Sequence, residues 1–99
     1  MLKQRVSFNA MAPTSVGVFC SLITAGMREK NKSLPAFSID FTQRHDKRGS
    51  PFYVTVEIED WTFHEATEEL TYRAANYIAE KMVRKYEYQK AQSANRRRA

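Results

Sequence analysis

A single cysteine, Cys20, stands in this chain of 99 residues, so no internal disulfide can form and the fold must rest on packing. That suits a reducing, cytoplasmic compartment. Glycines are few as well, and the three present, Gly17, Gly26 and Gly49, lie too far apart to build a phosphate-cradling loop. Two histidines and one thiol give no zinc-binding spacing. The longest apolar stretch, residues 16–25, is interrupted by Ser21 and Thr24. It falls far short of the ~20 residues that a membrane span needs. The start, Met1-Leu2-Lys3-Gln4-Arg5-Val6, lacks the apolar run and small-residue cleavage site of a secretory signal. No cofactor, metal or membrane partner is expected.

Charge is plentiful, and it is unevenly placed. Residues 1–48 carry eight Lys/Arg against Glu29, Asp40 and Asp46. Residues 49–72 hold no Lys or Arg at all, only Glu57, Glu59, Asp60, Glu65, Glu68 and Glu69. Residues 73–99 again carry eight basic residues, against Glu80 and Glu87. The chain is basic, then acidic, then basic, with a net charge of +5. Basic ends of this kind favour polyanions such as nucleic acid, or acidic protein surfaces.

Hydrophobic periodicity orders the elements. In residues 2–9, Leu2, Val6 and Phe8 alternate with Lys3, Arg5 and Ser7, a half-buried strand. Thr14 or Ser15 then offers a helix cap, and Val16, Phe19, Cys20, Ile23 and Met27 form one face of an amphipathic helix stopped by Pro35. Phe37, Ile39 and Phe41, then Phe52, Val54, Val56 and Ile58, alternate with polar residues on either side of a turn-rich segment, the signature of an antiparallel hairpin. Thr62 with Glu65 three residues on has the spacing of a capping box. It predicts a long second helix through Leu70, Ala74, Ile78 and Met82 to about Lys90, overhanging the sheet. On that helix Tyr77 falls near the core stripe, with Tyr72 and Tyr88 outside it.

The expected architecture is α+β, in the order β-α-β-β-α. A three-stranded, mostly antiparallel sheet carries two helices on one face, and the second helix is long. Residues 1–90 form one domain, and residues 91–99, without periodicity, a flexible basic tail. The element order resembles a ferredoxin-like unit missing its last strand. It is also similar in outline to the helix-covered sheets of double-stranded-RNA-binding and ribosome-hibernation proteins.

Catalytic machinery is hard to find. Cys20 lies on the apolar stripe with no nearby histidine to activate it, so it reads as a structural thiol. His45 reads as a turn residue and His64 as a first-turn surface residue of the second helix. Asp40, Glu57 and Glu59 share strand parity and could hold Mg²⁺ for phosphodiester hydrolysis, but no lysine lies beside them to stabilise the developing charge. A non-enzymatic binding protein is the better reading.

Two basic sets carry that reading. One is Arg84, Lys85, Tyr88 and Lys90 on the second helix, continued by Arg96, Arg97 and Arg98; the other is Arg44, Lys47 and Arg48 at the hairpin tip. Cations interleaved with tyrosines can neutralise phosphates and stack on bases. The bland counterpart is a solubilised helix end balancing its own dipole. The expected function is regulatory binding of nucleic acid or a nucleoprotein complex. The alternative is an inhibitor or adaptor that binds a host protein, of the kind bacteriophages encode against host enzymes and defence systems, anti-CRISPR proteins included. An open sheet edge makes a homodimer conceivable, and Trp61 is expected to cover the strand–helix corner.

Overall fold

The computed structural model describes residues 13–43 and 51–98, except for the side chains of residues 96–98. Five elements follow one another: α1 (Val16–Lys30), β1 (Phe37–Gln43), β2 (Phe52–Ile58), β3 (Trp61–Thr67) and α2 (Tyr72–Arg98). The strands form an antiparallel sheet in the order β1-β2-β3. The fold is α+β with a three-stranded antiparallel sheet and a long second helix, as the periodicity predicts.

Helix α1 starts where the sequence offers a cap. The Ser15 hydroxyl accepts from the Val18 amide at 3.2 Å, satisfying a first-turn donor. Phe19, Ile23 and Met27 then recur every four residues and are fully buried. Central strand β2 supplies the other half of the core through Val54, Val56 and Ile58, all without solvent exposure. The equivalent residues of edge strand β1, Phe37, Ile39 and Phe41, are only half-buried.

Three expectations need correction. Thr62 and Glu65 do not cap a helix; both lie in β3. Ile58 and Trp61 face each other across a two-residue turn, and Glu59 in that turn takes a positive φ of 57°. Trp61, Phe63 and Glu65 face the helices, and Thr62, His64 and Ala66 face away, a period of two that competes with the capping-box spacing and wins. The cap of α2 is Thr71, whose buried hydroxyl accepts from the Ala74 amide at 3.0 Å. Secondly, α2 continues to Arg98 instead of giving way to a tail at Ala91. Ala, Gln and Arg are strong helix formers, and lost apolar periodicity signals lost burial, not lost helix. Thirdly, Tyr77 is 54% exposed, and Tyr86, at 5%, is the α2 tyrosine in the core. The strand expected at residues 2–9 lies outside the described residues, and the third strand of the sheet comes from residues 61–67.

The two helices lie side by side. A Cβ built on Gly26 would stand 2.9 Å from the Ala79 Cβ, so the helices pack there at a separation that suits glycine. Their starts are tied together as well: the Thr14 amide donates to the Leu70 carbonyl at 2.8 Å, and Pro13 bridges to Thr71.

Candidate nucleic-acid interface

Helix α2 brings its basic residues back onto the molecule. The Arg84 guanidinium pairs with Glu80 one turn earlier at 2.7 Å, while its side chain stays 72% exposed. The Lys85 ammonium lies 2.6 Å from the Glu65 carboxylate of β3 and also donates to the His64 backbone carbonyl. Lys90 reaches Glu59 in the β2–β3 turn at 3.4 Å and sits over the Tyr86 ring at 5.6 Å. Hydrogen bonding to Tyr86 first, and the Glu59 charge second, hold the Lys90 pKa above its usual value. These three cations therefore spend at least part of their charge on the chain's own glutamates. None of the three pairings can be read from linear sequence except Arg84 with Glu80, which has helical spacing.

Tyr88 remains exposed and lines a cavity of about 370 Å³ with Trp61, Phe63, Lys85 and Gln89. Trp61 itself stacks edge-on against Tyr86 with ring centroids 5.8 Å apart, covering the corner between β3 and α2. The backbone of Arg96, Arg97 and Arg98 closes α2, and their side chains lie outside the described ones.

The second basic set, Arg44, Lys47 and Arg48, also lies outside the described residues. Its flanks do not. Gln43 and Phe52 are register partners, and Phe52 faces Thr67 at the end of β3. From Thr67 the chain passes through Glu68, Glu69 and Leu70 to the cap of α2, against which the start of α1 is bonded. The basic segment thus leaves and rejoins the sheet at the end where both helices begin. Neither helix has an acidic residue in its first turn, and Arg73 is exposed in the first turn of α2. The positive end of the helix dipole attracts anions, although Ser15 and Thr71 already accept from the Val18 and Ala74 amides. Glu68 and Glu69, both exposed, oppose that attraction at the same end. Sequence alone names the loop cations; the grouping with two helix starts requires the tertiary bridge between Pro13 and Thr71.

The carboxylate set separates. Asp40 faces Thr55 across the sheet and Glu57 faces Ser38, so the two acids are diagonal neighbours on the open face. Glu59 lies beyond the strand, drawn to Lys90 on the helix side. Among the described residues no three His, Cys, Asp or Glu side chains come together as a metal site. His64 is on β3, not on a helix, with Nδ1 at 3.0 Å from the Thr55 hydroxyl. Cys20 is half-buried, and burial, then the Asp40 charge, push its thiol pKa up. No helix among the described residues is long and apolar enough to cross a membrane. Comparison with family models finds no match, and comparisons with curated proteins and with solved structures find none either.

Proposed function

We propose that this protein is a non-enzymatic, regulatory nucleic-acid-binding module of a reducing, cytoplasmic compartment. In this reading it grips the sugar–phosphate backbone with the end of the molecule at which both helices begin. The observation that carries the reading is the convergence of two helix starts on the flanks of the segment bearing Arg44, Lys47 and Arg48. Phosphate contacts of this type position a protein on its ligand without reading sequence, so low sequence preference is part of the proposal. The α2 cations take a secondary role, because Lys85 and Lys90 would have to leave carboxylate partners to meet a phosphate. Arg84 is the exception, since an exposed pair at helical spacing is worth only about 0.2–0.5 kcal/mol and is readily exchanged.

The resemblance of the expected element order to double-stranded-RNA-binding proteins makes a duplex the first ligand to test. Electrophoretic shift assays at low salt with duplex RNA, duplex DNA and the separated strands decide the matter. Binding that fades steeply as salt rises is the expected result. Absence of any shift with all four ligands removes the proposal. A protein-directed inhibitor or adaptor is the second reading, favoured by the exposed Tyr88 beside Trp61 in the groove along β3.

A further inference from the structure

Strand β1 ends the sheet on one side, and among the described residues nothing pairs with its outer edge. Its helix-facing side chains, Phe37, Ile39 and Phe41, are apolar yet only half-buried. Arg28 lies over the Phe37 ring at 4.7 Å and roofs that end of the strand. Between β1 and α1 runs a groove lined by Cys20, Ser21, Thr24, Ala25, Phe37 and Ile39. The opposite edge of the sheet is finished differently. On β3, Lys85 donates to the His64 carbonyl and Glu65 points a charge inward, two devices that discourage pairing with another strand.

Chain direction narrows what can fill the β1 edge. β1 runs from Phe37 to Gln43, and Gln43 stands across from Phe52 and so in line with Thr67, at the end where both helices begin. The chain enters α1 from that same end, so a segment lying along the sheet just before α1 must run parallel to β1. Parallel neighbours need a crossover of about a dozen residues or more, usually helical, and residues 10–36 with α1 among them supply one. Residues 2–9 match the length of β1, which spans residues 37–43. The chain from Asn9 to Pro13 reaches at most about 14 Å, enough to climb from the sheet to the helix layer.

We propose that the β1 edge is the docking site of residues 2–9 of this same chain, added as a fourth strand parallel to β1. Successive side chains of a strand point to opposite faces. Leu2, Val6 and Phe8 then cover the groove over Phe37, Ile39 and Phe41, and Gln4 shares their side, where the lining includes the Ser21 and Thr24 hydroxyls. Lys3, Arg5 and Ser7 take the open face, where Asp40 stands exposed at the middle of β1. The described side chains of that face include Asp40 and Glu57 and no Lys or Arg, so Lys3 and Arg5 meet complementary charge there. Apolar parity and charge thus agree on one placement, and a slip of one residue would put both cations in the groove. This surface is separate from the helix-start end and does not depend on the nucleic-acid reading.

Nuclear Overhauser contacts in the isotopically labelled full chain test the placement. Backbone contacts between residues 2–9 and 37–43 are expected, with residue numbers rising together along the two strands. Side-chain contacts of Val6 and Phe8 should reach Ile39, Phe41 or Cys20, and the amides of β1 that point away from β2 should resist hydrogen exchange. In Val6→Asp the contacts of residues 2–9 with β1 should be lost while those between β1 and β2 persist, because a carboxylate is not accommodated over an apolar groove. Ser7→Ala, on the open face, should keep both sets. The parent chain alone settles the placement, so a variant that unfolds does not shelter the proposal. Absence of contacts between residues 2–9 and 37–43 overturns it, as do contacts with β3 instead or residue numbers that run in opposite directions. So do contacts seen only between labelled and unlabelled copies in a mixed sample, which would make the occupant a second copy. Contacts that survive Val6→Asp overturn the assignment of the apolar residues to the groove.

Discussion

The Lys85 ammonium donates at 2.6 Å to the backbone carbonyl of His64, on the free side of edge strand β3. The same nitrogen neutralises Glu65, whose side chain points toward the helices and is only 15% exposed. Replacing Lys85 by Met keeps the aliphatic stem but leaves a largely buried carboxylate without its cation. A loss of about 1–3 kcal/mol in urea unfolding is expected, the range for an unsatisfied buried polar group. The uncapped edge should also pair between molecules, visible as concentration-dependent self-association in sedimentation. Lys85→Met that is as stable and as monomeric as the parent chain would show that the contact has neither role.

Thr71 makes a second local prediction. It is 3% exposed, and its hydroxyl satisfies the Ala74 amide at the start of α2. Thr71→Ala should cost about 1 kcal/mol, and Thr71→Ser should retain most of the stability. Equal losses in the two variants would point to the methyl group, not the cap.

The two helical glycines should respond in opposite directions. Nothing lies within 4 Å of a Cβ built on Gly17, so Gly17→Ala should stabilise by up to about 1 kcal/mol through helix propensity alone. On Gly26 the same Cβ would meet the Ala79 Cβ at 2.9 Å. That neighbour is a short, rigid side chain, so the helices must separate, and overpacking costs about 1–3 kcal/mol against the same propensity gain. Thermal melts of both variants, and of Gly26→Ala combined with Ala79→Gly, check the sign and its relief.

Where side chains alternate over an apolar face, as in Phe37, Ile39 and Phe41, the element was legible because one face must be buried. The same logic misleads at Thr62 and Glu65. Their spacing satisfies a capping box, yet no local pattern reveals that Trp61 folds back on Ile58 through a turn with Glu59 at positive φ. The true cap, Thr71, has alanine where a capping box would put Glu, so it offers only half of the signal. The candidate site was legible as a set of cations and not as a surface. Lys85 and Glu65, twenty residues apart, meet only because α2 lies along β3, and linear charge counts do not register such cancellation.

The Cys20 thiol has a pH signature. Burial first and the Asp40 carboxylate second raise its pKa, so the fold favours the protonated form. Stability from this source is complete below the unfolded thiol range, near pH 8.5, and is lost as pH rises through the folded value. The alkylation rate of Cys20 should accordingly reach half-maximum above about pH 8.5. Asp40→Asn should lower that midpoint only in part, because desolvation is the larger cause. A midpoint that returns fully to the ordinary thiol value in Asp40→Asn would reverse the ranking of the two causes.

Charge removal at the two basic sets separates backbone grip from surface charge. If Arg44, Lys47 and Arg48 each meet a phosphate, replacing all three by Ala removes three counterion-releasing contacts. The plot of log affinity against log salt should then flatten by about 2.7 on duplex DNA. Removing Arg84 and Lys90 by Ala lowers the formal charge by a comparable amount, but both side chains are engaged with Glu80 and Glu59. Their loss frees those two carboxylates as it deletes the cations, so affinity should fall through long-range repulsion while the salt slope barely changes. Slopes measured for the parent chain and both variants distinguish the cases. If the Arg84 and Lys90 variant flattens the slope and the loop variant does not, the grip belongs to the far half of α2, and the helix-start end is not the interface.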